Sequence, residues 1–163
     1  MKTLIVVRHA KSSWAEPGLS DFDRPLNDRG KKDGPHMAKR LKNKNITIDL
    51  FISSPAKRAK RTAELFADEL EYPQKKILLI PELYEASVSD FNKVISNTQD
   101  SVNTIILFSH NPGITAFANT LSTAKIDNMP TCAVFAITME ADRWNNLPKE
   151  DKQFLFFDYP KAL

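Results

Sequence analysis

The chain has 163 residues, 42% apolar and 26% charged, with ten prolines and only four glycines. That composition fits a folded globular protein with a sizeable core rather than a disordered or low-complexity chain. The net charge of +3 suits an anionic substrate and falls short of the dense basic footprint of a nucleic-acid binder.

A strand is predicted over residues 3–8, where Leu4-Ile5-Val6-Val7 runs directly into Arg8-His9. A polar loop follows from Ser13 to Asp28, and a basic helix from about Arg29 to Lys42 with Met37, Ala38 and Leu41 on its apolar face. Gly34-Pro35 leaves the start of that helix open. Ile48–Ser53 reads as a second strand. Ser54 as N-cap and Pro55 as first helical residue open a helix to about Leu70, with Ala59, Ala63, Phe66 and Ala67 as its stripe. Ile77–Ile80 is a short strand, and Ser89–Ser96 a short helix. The strand Thr104–Ser109 leads into a helix from about Pro112 to Leu121. Thr131–Thr138 and Phe154–Phe157 are strands separated by a polar excursion around Trp144–Lys152, and they pair antiparallel. Strands alternating with helices imply an α/β protein, a mostly parallel sheet covered on both faces.

No repeat or linker interrupts residues 1–163, so one domain is expected. Cys132 is the only cysteine, placed in a buried strand, and a reducing compartment follows. Met1-Lys2-Thr3 shows no signal-peptide layout, and no apolar run approaches the ~20 residues of a membrane span. The cytoplasm is the expected location.

Gly18, Gly30, Gly34 and Gly113 form neither a dinucleotide fingerprint nor a P-loop. His9, His36 and His110 are too scattered for a helical zinc motif. What remains is arginine and histidine at strand ends, where ligands bind in α/β proteins. His9 can hold one ring nitrogen on a backbone carbonyl and present the other as a nucleophile, beside the planar fork of Arg8. Taken alone, a structural histidine explains His9 equally well. Arg58 lies one turn into the helix after Ser53-Ser54-Pro55, a natural anion site. Its neighbours Lys57, Lys60 and Arg61 read as solvated charge. Ser109-His110-Asn111 repeats the strand–histidine arrangement, which makes His110 a candidate donor to a phosphoryl group. His36 reads as a surface or packing residue.

Four segments together carry a resemblance: Arg8-His9-Ala10-Lys11-Ser12, Arg24-Pro25-Leu26-Asn27-Asp28-Arg29-Gly30, Ser53-Ser54-Pro55 through Thr62-Ala63, and Ser109-His110-Asn111-Pro112-Gly113. In order and spacing they resemble the histidine phosphatase (phosphoglycerate-mutase-like) superfamily, and within it the compact SixA-type phosphohistidine phosphatases. The resemblance implies a three-layer α/β/α sandwich and a phosphatase that uses neither metal nor cofactor. It implies His9 as the nucleophile that becomes a phosphohistidine, with Arg8, Arg58 and His110 around the phosphoryl group and Ser12 as a further phosphate contact. Ala10 replaces the superfamily's common glycine. Ala15 stands where many members have a phosphate-binding asparagine. Leu83-Tyr84-Glu85 resembles the segment bearing the proton donor, which favours Glu85, with Glu82 as rival.

Expelling an alkoxide from a phosphate ester needs a well-placed acid, whereas an imidazole of pKa about 6.5 leaves readily. A short chain without lid-forming insertions therefore points to phosphohistidine on a protein as substrate. The alternatives are a small phosphate ester hydrolysed by the same mechanism, or a non-catalytic phospho-ligand module. The expected protein is a monomer with a phosphorylated protein or small phosphorylated molecule as partner, and neither nucleic acid nor membrane.

Overall fold

The computed structural model describes residues 1–162. Ten main elements follow in order: β1 (Lys2–Arg8), α1 (Asp28–Lys42), β2 (Leu50–Ser53), α2 (Lys57–Glu69), β3 (Leu78–Leu79), α3 (Val88–Ser96), β4 (Thr104–Ser109), α4 (Gly113–Leu121), β5 (Val134–Met139) and β6 (Lys152–Asp158). The six strands form one sheet in the order β3-β2-β4-β1-β5-β6. Strands β3, β2, β4 and β1 are mutually parallel. β5 runs antiparallel to both β1 and β6, so the expected antiparallel closing pair is present and the sheet is mixed.

Alternation along β1 divides the core. Ile5 and Val7 join Met37, Leu41, Phe66 and Phe108 on the α1–α2 side, while Leu4 and Val6 join Phe91, Ile114 and Phe117 on the α3–α4 side. The central strands are buried on both faces, which is why they read as unbroken apolar runs. No helix is long and apolar enough to cross a membrane among the described residues.

Several element ends shift by a few residues, and three departures from expectation have a physical reason in the structure. α2 starts at Lys57 with Ala56 at its N-cap, two residues later than the Ser54-Pro55 signal. Ser54 instead accepts the Ala56 N–H on its hydroxyl, forming a local turn before the helix. Cys132 is buried but stands before β5, in a turn with φ of 63°. Its N–H bonds the carbonyls of Arg8 and His9, a demand that strand geometry would not meet. Trp144 is fully buried, not part of a polar excursion, and its indole N–H donates to Val102 O.

Candidate active site

The parallel strands β1, β2 and β4 end side by side, and their last residues lead into the site. His9 N donates to Ser109 O and Ser54 N to Phe108 O, which ties the three strand ends together. Ala10 N donates to Thr62 Oγ1, and Thr62 in turn bonds Arg58 O, so α2 is fixed against the segment after β1. A side chain at Gly30 would meet Lys11 O at 2.2 Å, and one at Gly113 would meet Ala86 O at 2.1 Å. The starts of α1 and α4 therefore press on the site loops because those two residues lack a Cβ.

His9, Arg8, Arg58, His110 and Ser12 all line one cavity of about 230 Å³, together with Arg24, Lys11 and Trp14. The His9 and His110 ring centroids lie 5.1 Å apart. His9 Nδ1 is 2.7 Å from Ala10 O, and a carbonyl can only accept, so Nδ1 carries the proton. His9 Nε2 therefore keeps its lone pair as an acceptor, and Arg58 Nε donates to it over a long 3.4 Å. Burial pushes the His9 pKa down to about 3, partly offset by the Ala10 carbonyl and reinforced by Arg58, Arg8 and Arg24. Desolvation is the larger cause and the surrounding cations the smaller. Burial also pushes His110 down to about 3, helped by His9 and Arg58.

His110 Nε2 sits 2.7 Å from Ser54 Oγ. Among the described residues, two buried nitrogens in this cavity have no hydrogen-bond partner: Arg8 Nε and His110 Nδ1. Arg8 NH1 is held by Met129 O at 2.8 Å, which leaves the Nε edge unused. A buried donor without a partner is costly, and such groups concentrate where a ligand is bound.

The polar loop supplies residues that the sequence did not single out. Asp21 Oδ2 accepts from Arg58 NH2 at 3.0 Å and from Tyr84 OH at 2.7 Å, its Oδ1 accepts from Arg24 NH1 at 2.9 Å, and its backbone carbonyl from Arg58 NH1 at 2.6 Å. Tyr84's hydroxyl and then Arg58 lower the Asp21 pKa to about 2; the same hydrogen bond raises Tyr84 to about 12. Arg24 is also bonded to Ser12 Oγ and stacks under Trp14 at 3.3 Å. The available signal was the position of Arg24 at the start of the segment Arg24-Pro25-Leu26-Asn27-Asp28-Arg29-Gly30. Nothing periodic marked Asp21.

Glu85 lines a second cavity of about 540 Å³ that shares Arg58, His110 and Asn111 with the first. It has φ of 57°, a conformation costly for a side-chain-bearing residue and concentrated at functional sites. The rival Glu82 lines a separate groove with Leu50, Ile52 and Leu78. Ala15 lines neither site cavity, and His36, Lys57, Lys60 and Arg61 are exposed, as expected. No group of three or more His, Cys, Asp or Glu that could hold a metal ion occurs among the described residues.

Residues 4–101 match the family model of the histidine phosphatase superfamily (branch 1). The chain belongs to the histidine phosphatase superfamily. The class is that of a phosphatase-type hydrolase. Full-length similarity extends to an uncharacterised protein of Mycobacterium leprae, 29% identical over 95% of this chain and 100% of that one. An uncharacterised chloroplastic protein of Arabidopsis thaliana is 28% identical over 88% of this chain and 69% of its own length. A structure from Agrobacterium tumefaciens that carries the designation phosphohistidine phosphatase SixA superposes with a TM-score of 0.83, at 25% identity and 98% coverage of both chains. The architecture is thus that of the compact, SixA-type histidine phosphatases.

Proposed function

We propose that residues 1–163 act as one domain that hydrolyses phosphohistidine on a protein, through a phosphoryl group carried transiently on His9. The observation that carries this reading is the pair of unsatisfied buried nitrogens, Arg8 Nε and His110 Nδ1, in the same small cavity as the lone pair of His9 Nε2. Two unpartnered donors, beside a nucleophile whose lone pair takes only a long hydrogen bond from Arg58 Nε, match a phosphoryl group's oxygens and phosphorus.

In the first step His9 Nε2 attacks phosphorus and the bond from phosphorus to the substrate's ring nitrogen breaks. That nitrogen leaves with a proton from the Glu85 carboxyl, across the cavity that Glu85 shares with Arg58 and His110. Equatorial charge is met by Arg8 Nε, Arg58 Nε, the Ser12 hydroxyl and His110 Nδ1. Ser54 accepts the Ala56 N–H, so its own proton can go to His110 Nε2, which keeps the donating hydrogen on Nδ1. In the second step water, losing its proton to the Glu85 carboxylate, attacks phosphorus. The bond to His9 Nε2 breaks and inorganic phosphate is released. Each step uses only charges and proton carriers supplied by the chain.

The substrate assignment follows from the leaving group. Imidazole departs with little help, so an exposed acid on a loop is sufficient for a phosphorus–nitrogen bond. The test is a comparison of kcat/KM for phosphohistidine against phosphoserine and sugar phosphates, with a preference of at least a hundredfold for phosphohistidine expected. Faster turnover of any ester replaces this reading with that of a small-molecule phosphomonoesterase. Binding of inorganic phosphate with no turnover of either class favours a binding module.

A further inference from the structure

The loop that closes one side of the site presents its apolar side chains to solvent. Every residue from Trp14 to Asp23 is exposed. Three of the large apolar side chains exposed among the described residues fall within it: Trp14 at 76%, Leu19 at 36% and Phe22 at 38%. The segment is nonetheless tied to the catalytic groups. Asp21 is gripped by Arg58, Arg24 and Tyr84, and Arg24 Nε also holds Ser13 O. Phe22 packs edge-on against Tyr84, whose ring packs edge-on against His110.

Leu19 and Phe22 line neither of the two cavities at the site. A molecule small enough to enter those cavities leaves both side chains in water. Burying them needs a surface broader than the pocket, laid across its mouth. Exposed apolar groups gathered beside a polar site mark interaction surfaces, with aromatic residues as frequent anchors. Because the loop is already fixed by the site's own hydrogen bonds, docking against it costs little ordering.

We propose that Trp14, Leu19 and Phe22 form a docking rim for the protein that carries the phosphorylated side chain. The partner that fits is a folded protein whose phosphohistidine is flanked by apolar surface, with the phosphoryl group entering between Arg8, Arg58 and His110 while its neighbours cover the rim. This inference rests on the phosphohistidine reading above and extends it from the bond broken to the surface that delivers it.

The experiment measures kcat and KM for free phosphohistidine and for a set of folded proteins that each carry one surface phosphohistidine, with the wild-type chain and Leu19→Ser/Phe22→Ser. The wild type is expected to favour at least one of the proteins over the free amino acid by tenfold or more in kcat/KM. The double variant is expected to lose that advantage through a rise in KM, with free phosphohistidine turned over within twofold of wild type. Phe22→Leu, which keeps an apolar side chain, is expected to retain most of the advantage. Absence of any wild-type preference for a protein overturns the rim, as does an equal loss by the double variant on both kinds of substrate. If the wild type hydrolyses neither, the phosphohistidine reading itself fails and the rim with it.

Discussion

The two buried histidines make the fold acid-sensitive in a defined pH window. His9 and His110 are each only 6% exposed, and burial is the largest cause that lowers both pKa values from the ordinary 6.5 to about 3. Between those values the unfolded chain takes up a proton on each ring and the native chain does not. Stability is therefore complete above pH 6.5 and falls as the pH drops toward 3. One such group changes stability by about 1.4 kcal/mol per pH unit in that window, and two by about 2.7 kcal/mol. From pH 7 to pH 5 the loss comes to roughly 4 kcal/mol, a large share of the ~5–15 kcal/mol that holds a typical domain together. Asp21, lowered to about 2, adds its own loss only at more acid pH. Urea unfolding at pH 7, 6 and 5 measures the slope directly, and His110→Asn should halve it. A midpoint that stays flat from pH 7 to 5, or a slope unchanged in His110→Asn, refutes the argument that both rings are held neutral by the site.

Two further changes probe the site's polar shell. Asp21→Asn removes the carboxylate that holds Arg58, Arg24 and Tyr84 together; kcat/KM should fall about 10- to 100-fold, as misplacement of a reacting group does. Asp21 is half exposed, so the melting temperature should move little, and an unchanged kcat/KM removes Asp21 from the account. Glu85→Gln should slow hydrolysis of an alkyl phosphate ester at least tenfold more than that of phosphohistidine. Equal losses on both substrates would contradict the leaving-group argument.

The convergence of Arg8, His9, Arg58 and His110 was legible because each terminates or follows an unmistakable buried strand, and strand ends in a parallel sheet lie together. The layers were legible for the same reason. The pairing of β5 with β1 was not, since antiparallel placement beside a parallel strand leaves no mark in β5's own apolar pattern. Ser54 was misread because a serine before a proline signals both a helix cap and a turn; tertiary demand for its hydroxyl at His110 chose the turn. Asp21 lay hidden in an irregular loop. Its role depends on Arg58 from α2 and Tyr84 from the segment after β3, and no local spacing encodes that meeting. Glu82 and Glu85 lie in one short segment yet line different cavities, a separation set by the turn between them that no local spacing encodes.

The central claim is that His9 carries the phosphoryl group. Mixing the protein with phosphohistidine or a small phosphoramidate, quenching in alkali within the first turnovers and mapping the phosphoryl group by mass spectrometry tests it most directly. The account predicts an acid-labile phosphoryl group on His9, formed and lost at rates that sustain turnover, and none in His9→Asn. A phosphoryl group trapped on another residue, or turnover that persists in His9→Asn, contradicts it.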